Sequence, residues 1–288
     1  MPTVSDRSRL ISIVQSRQNA RVRELRSAFA RNGRDVSEVI GIEGETLLAE
    51  ALRSHLRIRT VFVCQDVPRA SERESGRESG RGSALRRLDR LPLPGFVPIV
   101  EITPAVFASA VNTESPQGIA ALVEPPRFSL ADALAGSAPL VVVAAGVQDP
   151  GNLGTLIRSA EAFGASGVLA LPGTVTVWNA KVLRASAGSA FRVPVVHERS
   201  TRVFAALAER KIPVLAAVQN DAIPCSQAKF AGSAAILIGN EGNGLSAELL
   251  EHAQARIAVP MPGPVESLNA AVAASILLYE AARQRNRR

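Results

Sequence analysis

The stretch PLVVVAAGVQDPGNLGTLIRSAEAFGASGVLALPG, residues 139–173, decides the fold class. PLVVVAAGV is a continuous apolar run of strand length, QDPGNLG a polar turn, TLIRSAEAFGA a helix-like segment, and GVLALPG apolar again. Strands buried on both faces read as unbroken apolar runs, so this unit predicts two strands joined by a helix. The pattern continues towards the C-terminus. NAKVLRASAGSAF and RVFAALAERK read as helices, VPVVH, PVLAAV, AAILIG and RIAVPM as strands, and AELLEHA as a helix between the last two. A long helix, predicted from Ser267 to about Gln284, closes the chain. Such alternation predicts an α/β fold with a mostly parallel sheet covered on both faces.

Three polar loops follow apolar runs and lie far apart in sequence: QDPGNLG with RSAE behind it, GNEGNG, and PMPGPVESLN. Loops at the carboxyl ends of α/β strands gather in one crevice, which groups Asn152, Arg158, Glu161, Glu241, Ser267 and Asn269 in a single candidate site. Taken singly, most have a plain structural explanation. Arg158 and Glu161 lie three apart on one helix face, the spacing of a surface ion pair. Asn152 suits a tight turn. Gly239, Gly242 and Gly244 permit close approach of backbone to a ligand, and equally suit a turn before a helix starting near Ser246. Ser267 has the character of an N-cap. Asn269, placed just inside that last helix, has poor propensity there and lacks such an explanation. A dinucleotide-binding loop would show GxGxxG and an acid about 20 residues later, whereas the chain offers GNLG and no acid in ASGVLALPG. GNEGNGLS lacks the Lys of a phosphate-binding loop.

Composition bounds the remaining choices. Hydrophobic residues make up 47% and charged residues 20% of the 288, which excludes a largely disordered chain and accommodates two domains. No apolar run reaches the roughly 18 residues of a membrane span. The opening MPTVSDRSRLISIVQSRQNARV lacks the apolar core of a secretory signal, so a cytoplasmic protein is expected. Cys64 and Cys225 stand alone and His55, His197 and His252 are scattered, so no metal site is expected. Residues 1–100 hold 18 Arg and no Lys against 12 acidic residues, a net charge of +6, while the whole chain carries +7. Basic charge concentrated on one segment is the footprint of a phosphate-backbone reader, and equally of a solvated basic surface.

Within that segment, residues 12–31 carry Val22, Leu25 and Phe29 at helical spacing among Arg21, Arg23, Arg26 and Arg31, predicting a basic amphipathic helix. EVIGIEG and RTVFVC read as strands around a helix from about Glu45 to Leu56, a βαβ-like start. Residues 68–95 collapse into Arg, Glu, Ser and Gly, with ESGR repeated, and read as a flexible insertion. FVPIVEI, PAVFASAV and GIAALVE return to order. This reading divides the chain into a small N-terminal domain, 1–125, a linker with a short helix, 126–138, and a larger domain, 139–288.

VQDPGNLGTLIRSAEAFGA, ILIGNEGNGLS and VPMPGPVESLNAAVAASILLYEAARQ together resemble, in order and spacing, the three signature motifs of the SpoU/TrmH family of RNA ribose 2′-O-methyltransferases, within the SPOUT superfamily. SRQNARVRELR, IGIEGETLLAEAL and VNTESPQGIAALVE resemble more loosely the substrate-binding domain often fused to such enzymes, a small α/β fold akin to RNA-binding ribosomal proteins. The resemblance implies a SPOUT methyltransferase domain with a parallel sheet and a trefoil knot, S-adenosylmethionine as methyl donor, and pairing of catalytic domains as a homodimer. It implies that Arg158 is essential, with Asn152, Glu161, Ser267 and Asn269 arranging it and the substrate. Gly239, Asn240, Glu241, Gly242, Val259, Met261 and Leu268 fall at positions that hold the cofactor. The family proposal makes this Arg a general base; an Arg that grips a substrate phosphate would be equally essential, and the sequence leaves both open. Ribosomal RNA is favoured over tRNA because of the added domain. A tRNA enzyme, an antibiotic-resistance methyltransferase and a non-catalytic RNA-binding or ribosome-assembly protein are the alternatives.

Overall fold

The computed structural model describes residues 11–30, 39–65, 83–111, 113, 115–265 and 267–286. The chain divides into two compact units, Met1–Pro126 and Arg127–Arg288.

The first unit is built on a five-stranded sheet in the order β1-β4-β3-β5-β2. Its strands are β1 (Ile11–Val14), β2 (Ile40–Glu43), β3 (Ile58–Cys64), β4 (Ile99–Ile102) and β5 (Ile119–Val123). The described helices are α1 (Ala20–Ala30), α2 (Glu45–Arg53), α3 (Ser83–Leu88) and α4 (Pro104–Val111). Helix α1 buries Val22, Leu25 and Phe29, the stripe that its periodicity predicts. Burying three such side chains stabilises the unit by roughly 1.5–3 kcal/mol each. Its docking requires a glycine opposite, since a Cβ on Gly41 would come within 2.8 Å of the Phe29 ring.

Three expectations for this unit are corrected. The helix expected over 12–31 begins only at Ala20, because residues 12–14 belong to β1 and pair in parallel with β4, a long-range partner that local periodicity does not reveal. Strands β2 and β3 do not pair as a βαβ unit: β5 inserts antiparallel between them. The insertion expected over 68–95 is ordered in its described part, where Ala84, Leu88, Leu91 and Leu93 are buried, the last three spaced through an otherwise polar composition. Residues 68–82 of that insertion, and Arg31, lie outside the described residues.

The second unit carries a seven-stranded sheet in the order β10-β12-β9-β11-β6-β7-β8, with every pairing parallel. The strands are β6 (Leu140–Ala144), β7 (Gly167–Ala170), β8 (Val195–His197), β9 (Val214–Ala217), β10 (Ile223–Pro224), β11 (Ala234–Ile238) and β12 (Ala255–Ala258). The helices are α5 (Leu130–Ala133), α6 (Pro150–Ala162), α7 (Ala180–Ala185), α8 (Ser200–Glu209), α9 (Ala247–Glu251) and α10 (Ala270–Arg285). All five residues of both β6 and β11 are buried, as expected of central strands covered on both faces. The segment expected as a linker with a short helix holds such a helix and packs onto this unit. Ser129 and Asp132 form a capping box that starts α5, and Ala133 and Leu134 are buried in the core of this unit. They do so against Gly167, where a Cβ would meet Ala133 at 2.6 Å.

The sheet order sets where the candidate loops leave the sheet. From β6 the chain proceeds to β7 and β8 on one side, and from β11 to β12 on the other. The adjacent pair β6 and β11 is therefore a topological switch point, where the loops leaving two neighbouring carboxyl ends diverge and open a crevice.

Candidate active site

Loop 145–149, after β6, turns sharply at Gly146, whose φ of +70° favours glycine. Asp149 then caps α6 by accepting the Asn152 N–H at 2.8 Å, with Pro150 at the first helical position. The loop after β11 closes on itself: Asn240 and Gly244 exchange backbone hydrogen bonds of 3.0 Å each. Asn240 Oδ1 accepts from the Gly242 and Asn243 N–H groups, and its Nδ2 donates to the Gly146 carbonyl at 2.7 Å. Asn240 thus ties the first loop to the second, and spends its polar atoms doing so. Gly239 is sterically obligatory, because a Cβ there would lie 2.5 Å from the Gly244 carbonyl carbon.

A directional chain of side chains joins all three loops. Glu241 accepts from Asn152 Nδ2 at 2.8 Å, and Asn152 Oδ1 accepts from Asn269 Nδ2 at 2.8 Å. Asn269 Oδ1 accepts from the backbone N–H groups of Ala271 and Val272, at 2.9 and 3.2 Å. A carboxylate at one end can only accept and helix N–H groups at the other can only donate, so both amide orientations follow. The last helix therefore differs from expectation. Its N-cap is Asn269, not Ser267, and α10 begins at Ala270. Asn269 has the structural explanation that propensity denied it, while Ser267 stays exposed outside the helix.

The second and third loops, with the residues that follow β9, border a cleft of about 620 Å³, within the range of small-molecule sites. Gly239, Asn240, Glu241, Gly242, Val259, Met261 and Leu268 all line it, as do Ser267 and Asn269. Asn152 is tied to this lining through its bonds to Glu241 and Asn269. Gln219, Asn220 and Arg256 also line the cleft and escaped the sequence reading. The strand-end rule would have found Gln219 and Asn220, which closely follow β9, whereas Arg256 lies within β12 and carries no such signal.

Arg158 and Glu161 do not line the cleft. Arg158 is exposed on α6, six residues and therefore about 9 Å along the axis from Asn152. Among the described residues no hydrogen bond or ion pair engages its guanidinium. Glu161 does not pair with Arg158 as its spacing allows. Its carboxylate instead takes Arg192, with Nε to Oε1 at 2.5 Å and Nη2 to Oε2 at 3.0 Å. The Arg192 guanidinium holds the Glu161 carboxyl below the usual carboxylate range, with Ser189 adding to it and partial burial opposing it. On the other flank of α6, Ser159 and Ser275 share a hydrogen bond of 2.7 Å that fixes α10 alongside. Among the described residues no group of three His, Cys, Asp or Glu side chains is arranged to hold a metal ion, and no helix is long and apolar enough to cross a membrane.

A parallel α/β domain with a cleft built by the segments that leave the carboxyl ends of β9, β11 and β12 defines a small-ligand-binding enzyme domain. Comparison with known proteins refines that class. Residues 139–279 match the model of the SpoU rRNA Methylase family, and residues 19–121 match an MRM3-like substrate binding domain. The 23S rRNA (guanosine(2553)-2′-O)-methyltransferase RlmP of Bacillus subtilis is 32% identical over 92% of this chain and 97% of its own length. The SpoU methyltransferase AviRb of Streptomyces viridochromogenes, solved with S-adenosylmethionine, superposes with a TM-score of 0.78 at 27% identity, covering 93% of this chain and 99% of that one. An S-adenosylmethionine-bound rRNA methyltransferase of Sinorhizobium meliloti gives a TM-score of 0.75 at 26% identity, over 95% and 98% of the two chains. The chain belongs to the SpoU rRNA methylase family. It is an RNA ribose 2′-O-methyltransferase that uses S-adenosylmethionine as its methyl donor.

The cleft fits that donor. The glycine wall at 239 and 242 admits close backbone approach, and Val259, Met261 and Leu268 offer apolar contact beside polar Asn220 and Gln219. This mixture suits a ligand with an aromatic base at one end and charged groups at the other.

Proposed function

We propose that the chain methylates a ribose 2′-hydroxyl in ribosomal RNA, with its cleft holding the donor and Arg158 holding the RNA. The observation that carries this reading is the Glu241–Asn152–Asn269 chain, which locks the three loops beside the cleft and places Asn152 on the same helix as a guanidinium that no described residue engages. RlmP, similar over nearly its whole length, is named for 23S rRNA, which supports ribosomal RNA over tRNA.

Bound S-adenosylmethionine supplies an electrophilic methyl group next to a sulfonium. Gly239, Asn240, Glu241, Gly242, Val259, Met261 and Leu268 hold it, largely through backbone and apolar contacts. The protein's own task is to bring a ribose hydroxyl into line and take up its proton. Arg158 grips an RNA phosphate, since a guanidinium offers only donors and matches phosphate geometry. Ser267, exposed at the cleft wall, contacts the ribose, while Asn152 and Asn269 hold the loops in register.

The first unit acts as the RNA reader. Residues 1–100 hold most of the net positive charge, and α1 presents Arg21 and Arg23 to solvent. Two copies of the catalytic unit pair as a homodimer. This is supported by the exposed Val272 and Tyr279 along α10, with Tyr279 edge-on to Phe163 at 5.9 Å. Threading of the C-terminal segment into a knot is part of this reading through membership of the family, not through the strand order. A cytoplasmic setting accords with an RNA substrate.

The test is transfer of labelled methyl from S-adenosylmethionine into unmodified rRNA and, separately, tRNA, followed by mapping of the modified ribose. Label in one rRNA nucleotide is the expected result. Label confined to tRNA would overturn the substrate, and label on a base would overturn the reaction.

A further inference from the structure

Helix α6 is flanked unequally. Gly154 brings it into backbone contact with α7, since a Cβ there would meet the Ala185 Cβ at 2.4 Å and the Val182 carbonyl at 2.7 Å. The chain then turns back through Ala187 and Gly188, both at positive φ, into the short 3-10 turn Ser189–Phe191, which delivers Arg192 to the same flank of α6. Arg192 meets Glu161 there with both carboxylate oxygens engaged.

This geometry matters for the residue one turn earlier. Positions three apart on a helix are neighbours, so the carboxylate nearest to Arg158 on its own helix is Glu161. Its other neighbours one turn away, Gly154, Thr155 and Ala162, carry no charge. A free Glu161 would capture the Arg158 guanidinium and would repel any phosphate approaching it. Arg192 removes that carboxylate from competition, because a bidentate pair with matched planar groups outweighs a single contact along the helix.

We propose that Arg192 is a positioning residue that sequesters Glu161 and so keeps Arg158 available to RNA. The inference rests on the reading that Arg158 binds the substrate. Glu161 is thereby reassigned: its carboxylate faces Arg192 and the turn that carries it, and takes no part in the reacting groups.

The full-length enzyme provides a test in which the two roles diverge. Arg192→Ala raises the RNA KM roughly two- to five-fold, the scale of one partly exposed ion pair formed in the wrong place, and leaves S-adenosylmethionine affinity by calorimetry within about two-fold. Glu161→Gln added to Arg192→Ala then lowers the RNA KM back towards that of the unaltered enzyme. A purely structural clamp behaves differently, since removing both partners is then as harmful as removing one. An Arg192→Ala enzyme with unchanged RNA KM, or a double variant no better than the single, overturns the proposal. Thermal melting of both variants reports whether the 187–192 turn has loosened, and the KM values are compared between variants of equal stability. Arg158→Ala serves as the separate check: full activity there refutes the underlying reading of Arg158, whereas an inactive Arg158→Ala with no rescue in the double variant refutes only the role given to Arg192.

Discussion

The two units use the same elements, strands and helices in alternation, and the cleft bordered by the candidate loops belongs to the second. In the second unit all strand pairings are parallel, so every carboxyl end faces the same way and the loops after β6, β9, β11 and β12 can converge. In the first unit β5 runs antiparallel between β3 and β2, so its loops leave from both ends of the sheet. The charge is divided in the opposite sense, with +6 of the +7 lying in residues 1–100. Strand direction concentrates chemistry in one unit; arginine content concentrates electrostatic attraction in the other.

Four changes would break or sharpen that contrast. The largest effect is expected for Arg158→Ala, which should lower methyl transfer by about a thousand-fold or more while calorimetry shows donor binding within about two-fold, because the residue lies outside the cleft. Near-normal turnover would remove Arg158 from the mechanism.

Next comes Asn269→Asp. An aspartate retains the cap of α10, so the melting temperature should move little, but it sets an acceptor against Asn152 Oδ1 where a donor stood. Turnover should fall about ten- to a hundred-fold. Asn269→Ala should differ by also losing about 1 kcal/mol of stability with the cap. If the two variants behave alike in both assays, the loop-linking chain has no role beyond capping.

Charge reversal in the first unit should act on binding alone. Arg21→Glu with Arg23→Glu should weaken RNA affinity and reduce the slope of log K against log salt by roughly one for each phosphate no longer neutralised, with kcat at saturating RNA unchanged. An unaltered salt slope would move the RNA-reading surface elsewhere.

The smallest effect concerns pH. Glu161 is held below the ordinary carboxylate range by Arg192, so its contribution to stability is complete above the unfolded value and is lost as pH falls through the lower, folded value. With both side chains about one-third exposed, the loss should be only a few tenths of a kcal/mol and should vanish in Glu161→Gln. A stability curve identical for both proteins between pH 5 and about 2 would contradict the pairing.

Much of the second unit was legible from residues alone. Unbroken apolar runs announce buried parallel strands, and the Gly, Asn and Pro that end them mark the loops that meet. The first unit was less legible, because β1 is four residues long and recognisable only through its pairing with β4, and because Ala84, Leu88, Leu91 and Leu93, hidden in a polar stretch, hold residues 83–95 in place. Within the site the same limit applies. Periodicity puts Arg158 and Glu161 on one face of α6, which is correct, but it does not know of Arg192, 31 residues onward.

By itself the sequence determined the α/β class, the basic first segment, and the three loops with their polar residues, since each depends on local composition and repeat. Only the tertiary structure decided strand order, the inserted β5, the Asn269 cap in place of Ser267, and the partner of Glu161. Each of these depends on which distant segments come together, and that is settled by the packing of the whole unit rather than by the preference of any one stretch.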